Sequence, residues 1–449
     1  MSRTEIAPQK KAHLQVLCLS AARHKELSIG AVHNSFRLYF SHKTHPMVRR
    51  RRCVLFAACL LVLYLTCMRV LYDKTMKGQA EQSGPGRNGN AEASTGTKVV
   101  AEGGLEAKFT DSTIEGQLPA AFQAALKNYS IVPLADVKIV FIVTYYRAGS
   151  TFLGELVSSG PRTYFHFEPL MLFTVSGRIR SGRERHAFQL IEQLLRCRME
   201  SIPLYTAWLE NNPYYKFNRF LAEICKEGHS CTSPSHMSAV CLRAKAQVFK
   251  FTRLHVSQVA AWLQRNSEIA SLVRVLHLVR DPRGIYHSRR GLKWCMQNAE
   301  CDKASALCMQ MRTDLEDFRE LTRLLPPNRT HTLRFEDLAL DPVNETKRLY
   351  ARLGLDYTSS VAEYLKNHTT ATRQDMKNAH GTKRNTRDVP GMWKKKLSRT
   401  TVGVIEETCI DVMRTLGYEF LVHSGAEREL KKPAVSQQIQ ISGAEKEAN

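Results

Sequence analysis

Two stretches of the chain carry the same pattern. Val137 to Thr144 (Val-Lys-Ile-Val-Phe-Ile-Val-Thr) and Val273 to Val279 (Val-Arg-Val-Leu-His-Leu-Val) are short, nearly continuous apolar runs rich in β-branched residues. A strand covered on both faces reads this way, because neither face has to meet water. The first run ends in a loop of small and polar residues, and Phe152-Leu153-Gly154-Glu155-Leu156-Val157 then reads as a helix start. The second ends in Arg280-Asp281, and Pro282 suits the first turn of a helix, where its missing N–H is not needed. Two shorter runs, Tyr164–Phe167 and His331–Phe335, predict further strands. The expected fold is α/β, one domain around a central parallel sheet.

A different pattern governs the first quarter of the chain. Cys53 to Met68 contains no charge, and extension to Tyr72 gives a 20-residue segment holding only Arg69. As a helix it would be about 30 Å long, enough to cross a bilayer. Arg49, Arg50, Arg51 and Arg52 stand directly before it and predict that this end stays in the cytosol. A cleaved signal peptide would close with a small-x-small site, and none follows. The pattern predicts an uncleaved signal anchor at 53–72 behind a cytosolic tail, 1–52. Residues 73–136 are expected to form a stem, since Asp73–Pro119 holds eight glycines and shows no hydrophobic period. The globular body is expected at 137–424, followed by a polar tail, 425–449.

Asparagines in N-x-S/T sequons, Asn128, Asn328, Asn344 and Asn367, all follow the span and agree with a lumenal body. Eight cysteines beyond residue 190 agree with an oxidising compartment and predict disulfides. There is no CxxC pair and no HExxH, so no metal site is expected.

Composition adds one constraint. Among 449 residues, 43% hydrophobic and 24% charged exclude a chain disordered from end to end. The net charge is +23, of which +11 falls in residues 1–80 and +12 in the rest. A basic body implies an anionic partner: nucleic acid, a membrane surface, a polyanionic sugar or a phosphorylated cofactor.

The loops after the two long runs fit the last of these. Tyr145-Tyr146-Arg147-Ala148-Gly149-Ser150-Thr151 joins a strand to a helix. Backbone N–H groups at such a junction can cradle a phosphate, with Gly149 permitting close approach and Ser150 and Thr151 adding hydroxyls. The GxxxxGK[ST] spacing is absent and a cation leads the loop, so it is not a Walker A loop. In the second loop Arg280 ends a strand, and Ser288 lies about two helical turns further on, so the two could grip one phosphate. Taken singly, each loop also reads as an ordinary strand end with a surface arginine or a salt bridge.

Together the motifs are specific. Tyr-Arg-Ala-Gly-Ser-Thr-Phe at 146–152 resembles the 5′-phosphosulfate loop of Golgi carbohydrate sulfotransferases. Arg280-Asp281-Pro282-Arg283 through Ser288-Arg289 resembles their 3′-phosphate loop. Phe167-Glu168-Pro169-Leu170, Arg334-Phe335-Glu336-Asp337-Leu338 and Gly381-Thr382-Lys383-Arg384-Asn385 match in the same order, as do Trp393 and Leu416-Gly417-Tyr418. The resemblance runs from about Val137 to Phe420 and is nearest to the group sulfating the 6-hydroxyl of GlcNAc, Gal or GalNAc. It implies a P-loop-like sulfotransferase fold, a type II Golgi membrane protein, and 3′-phosphoadenylyl sulfate (PAPS) as donor, with no metal. A glycan is the implied acceptor, nucleic acid is not a partner, and a homodimer is compatible. Ala148 departs from the family's usual serine, though its N–H survives.

The implied donor contacts are Arg147, Ala148, Gly149, Ser150, Thr151 and Phe152 around the phosphosulfate, and Arg280, Ser288 and Arg384 around the 3′-phosphate. Arg147 would also serve catalysis by neutralising the leaving phosphate. Glu168 is the expected base, its pKa raised by apolar neighbours. His166, two residues away on the same strand face, is the competing base. Glu336 and Asp337 read as structural, Trp393 as core and Lys394-Lys395-Lys396 as a solvated run. The rival readings are a glycosyltransferase, which normally shows a D-x-D triplet absent here, a lumenal kinase, for which no Mg²⁺-binding acids stand out, and a non-catalytic lumenal glycan-binding protein on a degenerate fold.

Overall fold

The structure, a computed structural model, describes residues 118–225, 230–296, 298–377 and 381–422. The expected cytosolic tail, anchor and polar C-terminal tail, and the stem up to residue 117, lie outside the described residues. Among the described residues no helix is long and apolar enough to cross a membrane. The end of the expected stem is already part of the folded body. A helix at Ala120–Leu126 (α1) buries Phe122 and Leu126, and the Phe122 ring stacks on His236 at 4.1 Å.

Five parallel strands form the sheet: β1 Lys138–Val143, β2 Thr163–His166, β3 Ala246–Phe251, β4 Val273–Val279 and β5 Thr330–Arg334. Their order is β2-β3-β1-β4-β5. Ile139, Phe141 and Val143 of β1 enter one hydrophobic core, while Val140 and Ile142 enter another on the opposite face. Both faces of β1 are therefore dry, which is why its sequence is a run and not an alternation.

Strand β3 was not foreseen. Gln247 and Lys250 interrupt its apolar pattern, yet both are buried. Each is held by polar partners: Gln247 Nε2 donates to the Leu195 carbonyl at 3.0 Å, and Lys250 Nζ donates to Thr151 Oγ1 at 3.1 Å. A polar residue in a buried strand is tolerated when its hydrogen bonds are made.

The order of strands fixes where a ligand can bind. The chain leaves β1 towards β2 and β3 on one side, then crosses to β4 and β5 on the other. The reversal opens a crevice beyond the C-terminal ends of β1 and β4, the usual ligand position in open α/β sheets. Helix α2 (Ser150–Val157) follows β1, α3 (Val256–Arg265) follows β3, and α4 (Pro282–Arg289) follows β4. The long α5 (Ala304–Leu324) precedes β5, and α6 (Pro342–Leu353) follows it. Pro282 occupies the first turn of α4 as expected, with the Asp281 side chain accepting from the Arg283 N–H at 2.8 Å. Six of the eight late cysteines pair as Cys197–Cys241, Cys295–Cys301 and Cys308–Cys409.

Candidate active site

The loop after β1 turns tightly into α2. Thr144 Oγ1 donates across the crevice to the Leu278 carbonyl at 2.8 Å, tying the ends of β1 and β4 together. Arg147 has φ +70° and Gly149 has φ +93°. Left-handed backbone at a non-glycine residue is costly and tends to mark functional loops. Gly149 is needed twice over, since a Cβ there would also stand 2.3 Å from Phe335 Cδ2. Gly149→Ala is expected to lower the melting temperature and to abolish tight nucleotide binding. Strain and overpacking together cost roughly 2–5 kcal/mol, which thermal unfolding with and without nucleotide would measure.

The first helical bond runs from the Leu153 N–H to the Gly149 carbonyl at 3.1 Å. The N–H groups of Ser150, Thr151 and Phe152 precede it and are the ones a helix start offers to an anion. Ala148 does not join them. Its N–H donates to the Tyr145 carbonyl at 3.2 Å and its methyl is fully buried, so its surviving N–H closes the turn instead of serving the anion. The Phe152 side chain also goes to the core, beside Tyr364 at 5.9 Å, leaving only its backbone at the loop.

The two predicted anion sites converge. Arg147 Nε donates to Ser288 Oγ at 3.0 Å, and Arg280 Nη1 donates to the Arg147 carbonyl at 3.0 Å. Burial lowers the Arg147 pKa, and the positive charges of Arg280 and Arg384 lower it further. With Arg280 and Arg384 both near enough to disfavour its charge, Arg147 stands in a site that calls for an anion. Arg280 is buried, its Nε has no hydrogen-bond partner among the described residues, and its guanidinium lies 4.4 Å from the centre of the Phe335 ring. Arg384 is half-buried, with Nη1 donating to the Asp375 carbonyl at 3.1 Å.

Glu168 stands at the end of β2 with φ +45°. Its expected environment is corrected. Oε1 pairs with Lys250 Nζ at 2.7 Å, Oε2 with Arg253 Nη1, and Thr252 Oγ1 donates to Oε2 at 2.9 Å. Burial alone would raise the Glu168 pKa, but Lys250 and Arg253 outweigh it and hold the carboxyl at about 2. The carboxylate is thus ionised, and its neighbours are cations where apolar groups were expected. Lys250 joins Glu168 to Thr151 of the anion loop and packs over the Phe167 ring at 4.1 Å.

His166 takes a separate position. It is the last residue of β2, its Nε2 lies 3.2 Å from Gln247 Oε1, and its ring stacks on Phe249 at 4.1 Å. Burial pushes its pKa down to about 3. Because β2 ends at His166 and the backbone turns left-handed at Glu168, the two residues do not share a strand face.

The structural readings of the remaining motif residues match their contacts. Glu336 accepts from the Asp281 N–H at 3.1 Å and from Tyr418 OH at 2.8 Å, fixing the turn after β4. Asp337 faces Arg334 at 3.8 Å. Trp393 is buried under the Arg283 guanidinium at 4.0 Å, and Lys394, Lys395 and Lys396 are exposed.

Sequence reasoning missed Lys250, Thr252 and Arg253. Arg253 is fully buried, with Nε donating to the Thr174 carbonyl at 2.7 Å. The signal available was a Lys-x-Thr-Arg cluster closing a half-apolar run. It missed as well the buried Arg178–Asp314 pair at 2.6 Å, which sits beside Tyr145. No cluster of His, Cys, Asp and Glu arranged for a metal occurs among the described residues.

A parallel sheet with a cationic, glycine-bearing loop at its switch point, faced by a second arginine loop, is an α/β arrangement suited to a ligand with two anionic groups. Residues 140–359 match the profile of the sulfotransferase family. The human carbohydrate sulfotransferase 1 is 28% identical over 347 residues, covering 66% of this chain and 82% of its own. The human carbohydrate sulfotransferase 5 is 26% identical over 336 residues, covering 65% and 80%. Among solved structures, the sulfotransferase domain from the curacin biosynthetic pathway superposes with a TM-score of 0.40 at 15% identity, over 65% of this chain and 100% of that one. Nearly half of the chain thus carries the sulfotransferase family's profile and its curated relatives are carbohydrate sulfotransferases, which makes it a PAPS-dependent transferase.

Proposed function

We propose that this enzyme sulfates the 6-hydroxyl of GlcNAc, Gal or GalNAc in the glycans of glycoproteins or proteoglycans, working in the Golgi lumen. The observation that carries the donor reading is the convergence of Arg147, Arg280 and Ser288 at the sheet's switch point. The sugar acceptor is carried by the similarity to carbohydrate sulfotransferases.

In this reading the helix-start N–H groups of Ser150 and Thr151 hold the 5′-phosphosulfate, together with Arg147. Arg280 and Ser288 hold the 3′-phosphate, and Arg384 adds positive charge. The sugar oxygen attacks sulfur in line, the bond from sulfur to the 5′-phosphate oxygen breaks, and adenosine 3′,5′-bisphosphate departs with both electrons of that bond. Positive charge already fixed at Arg147 and Lys250 stabilises the leaving phosphate as its charge grows. The hydroxyl proton passes to Glu168. A carboxylate at about 2 is a weak base before reaction, so transfer comes late, when the attacking oxygen has become strongly acidic.

The test is transfer of ³⁵S-sulfate from labelled PAPS by the full-length protein to keratan, chondroitin and GlcNAc-terminated glycans. Label at the 6-position of one of these sugars is the expected result. Nucleotide binding without any transfer would favour the non-catalytic glycan-binding protein.

The lumenal location rests on the anchor pattern at 53–72 and on the sequons. Asn128, Asn328, Asn344 and Asn367 are all exposed. Peptide-N-glycosidase treatment of protein from eukaryotic cells is expected to increase its gel mobility, and an unchanged band would count against this topology.

A further inference from the structure

At the far end of the sheet from the donor loops, the first residues of β4 and β5 border a cavity of about 550 Å³. Seven residues of β4 separate the two ends, roughly 20 Å of strand. Arg274, Arg329, Arg352 and His331 line the cavity, and no carboxylate does. None of the three arginines forms an ion pair among the described residues.

The arginines are brought together by the fold. Arg274 lies on β4, Arg329 directly precedes β5, and Arg352 is in the last turn of α6. Gly354, with φ +62°, ends that helix, and a Cβ there would stand 3.1 Å from Arg274 Nη2. The missing side chain makes room for the guanidinium. The C-terminal dipole of α6 favours a cation at this spot, which accounts for one arginine but not for three. Arg274 Nε is buried and has no hydrogen-bond partner among the described residues. Burial lowers the Arg274 pKa, and Arg329 lowers it further. Burial and Arg352 push His331 down to about 4, so it is a neutral ring able to donate one hydrogen bond. A solvated arginine is ordinary, but three in one concavity, without a carboxylate, make a site with its counter-charge missing.

We propose that this cavity binds a sulfate ester on a glycan chain, as a docking site separate from the donor site. The inference rests on the glycan-sulfating reading above, since such an enzyme meets chains that already carry sulfate. Guanidinium forks and a neutral imidazole donor suit the oxygens of a sulfate ester, and a cavity of this size admits the sugar bearing it.

The experiment uses full-length protein in detergent, saturated with adenosine 3′,5′-bisphosphate. Calorimetry compares a keratan sulfate oligosaccharide with its chemically desulfated form. The wild type is expected to prefer the sulfated chain by at least about tenfold. The Arg329→Ala/Arg352→Ala double variant is expected to bring that ratio close to one with nucleotide affinity unchanged. A Lys127→Ala/Lys366→Ala variant, which removes two exposed cations elsewhere, is expected to keep the ratio. Persistence of the preference in the arginine variant overturns the proposal, as does its absence in the wild type. Full displacement by inorganic phosphate at equal concentration would mark a free-anion site and overturn the glycan assignment. Asn328 lies at the cavity as part of a sequon, and Asn328→Gln is expected to keep the preference. Loss of preference in Asn328→Gln alone would assign it to an attached glycan and overturn the proposal. A protein that fails to bind adenosine 3′,5′-bisphosphate at all would instead sink the donor reading, so the two failures are distinguishable.

Discussion

Arg280→Ala is expected to weaken adenosine 3′,5′-bisphosphate binding by roughly 10- to 150-fold, the usual cost of one charge-assisted contact, about 1.5–3 kcal/mol. The 3′-phosphate is unchanged by transfer, so its grip is uniform through the reaction. Loss of that grip raises KM for the donor and leaves kcat at saturation nearly intact. The substitution has a second consequence. Arg280 is the positive charge that offsets the burial of Glu336, whose carboxyl burial has already pushed above its ordinary range. Without Arg280 that carboxyl rises further, and some stability is lost as well. Ser288→Ala separates the effects, because it removes only a hydroxyl held by Arg147. Titration calorimetry on both variants, with thermal unfolding alongside, is the measurement. Normal nucleotide affinity in folded Arg280→Ala protein would mean that this arginine does not hold the 3′-phosphate, and the donor-site reading would fall with it.

Glu168→Gln is expected to lower kcat by about 100-fold or more while nucleotide affinity stays within a few fold. The amide keeps the shape but cannot take the acceptor proton. It also leaves Lys250 and Arg253 buried without their shared counter-charge, which costs on the order of 3–5 kcal/mol in comparable buried pairs. Turnover must therefore be normalised to the folded fraction. Glu168→Asp, which retains a carboxylate, is expected to recover more stability than activity. Folded Glu168→Gln protein that turns over normally would end the case for Glu168 as base.

The same carboxylate makes a pH prediction. Its pKa is depressed in the folded protein, from an ordinary value of 4.5 to about 2. The unfolded chain therefore binds the proton first on acidification. The contribution of Glu168 to stability is complete above about pH 4.5, declines as the pH falls, and is gone below about pH 2. Urea unfolding across that window should show a stability loss in the wild type that is reduced in Glu168→Gln.

How much of this was legible follows from where the information sits. β4 matches its predicted run residue for residue, and β1 lies within its own, because a nearly continuous apolar run of six or seven residues needs no tertiary context. Pro282 and Gly149 were legible for the same reason: each is a backbone requirement written into one residue. β3 was not legible, because Lys250 and Gln247 look like surface residues until their partners arrive from β2, α2 and the segment at Leu195. Ala148 was misread because an N–H can serve either a ligand or a turn, and only the bend at Arg147 decides which.

The sequence by itself determined β1 and β4, the helix starts that follow them and the cationic character of the two loops between, since each is a local pattern spanning fewer than a dozen residues. Tertiary structure alone decided three things. It set Arg147 against Ser288, 141 residues apart. It surrounded Glu168 with Lys250 and Arg253, reversing the pKa shift that apolar neighbours would have caused. It gathered Arg274, Arg329 and Arg352 around one cavity at the opposite end of the sheet. The physical reason is the same in each case: Coulomb energy and desolvation depend on distances through space, and the order of residues along the chain does not contain those distances until the sheet has formed.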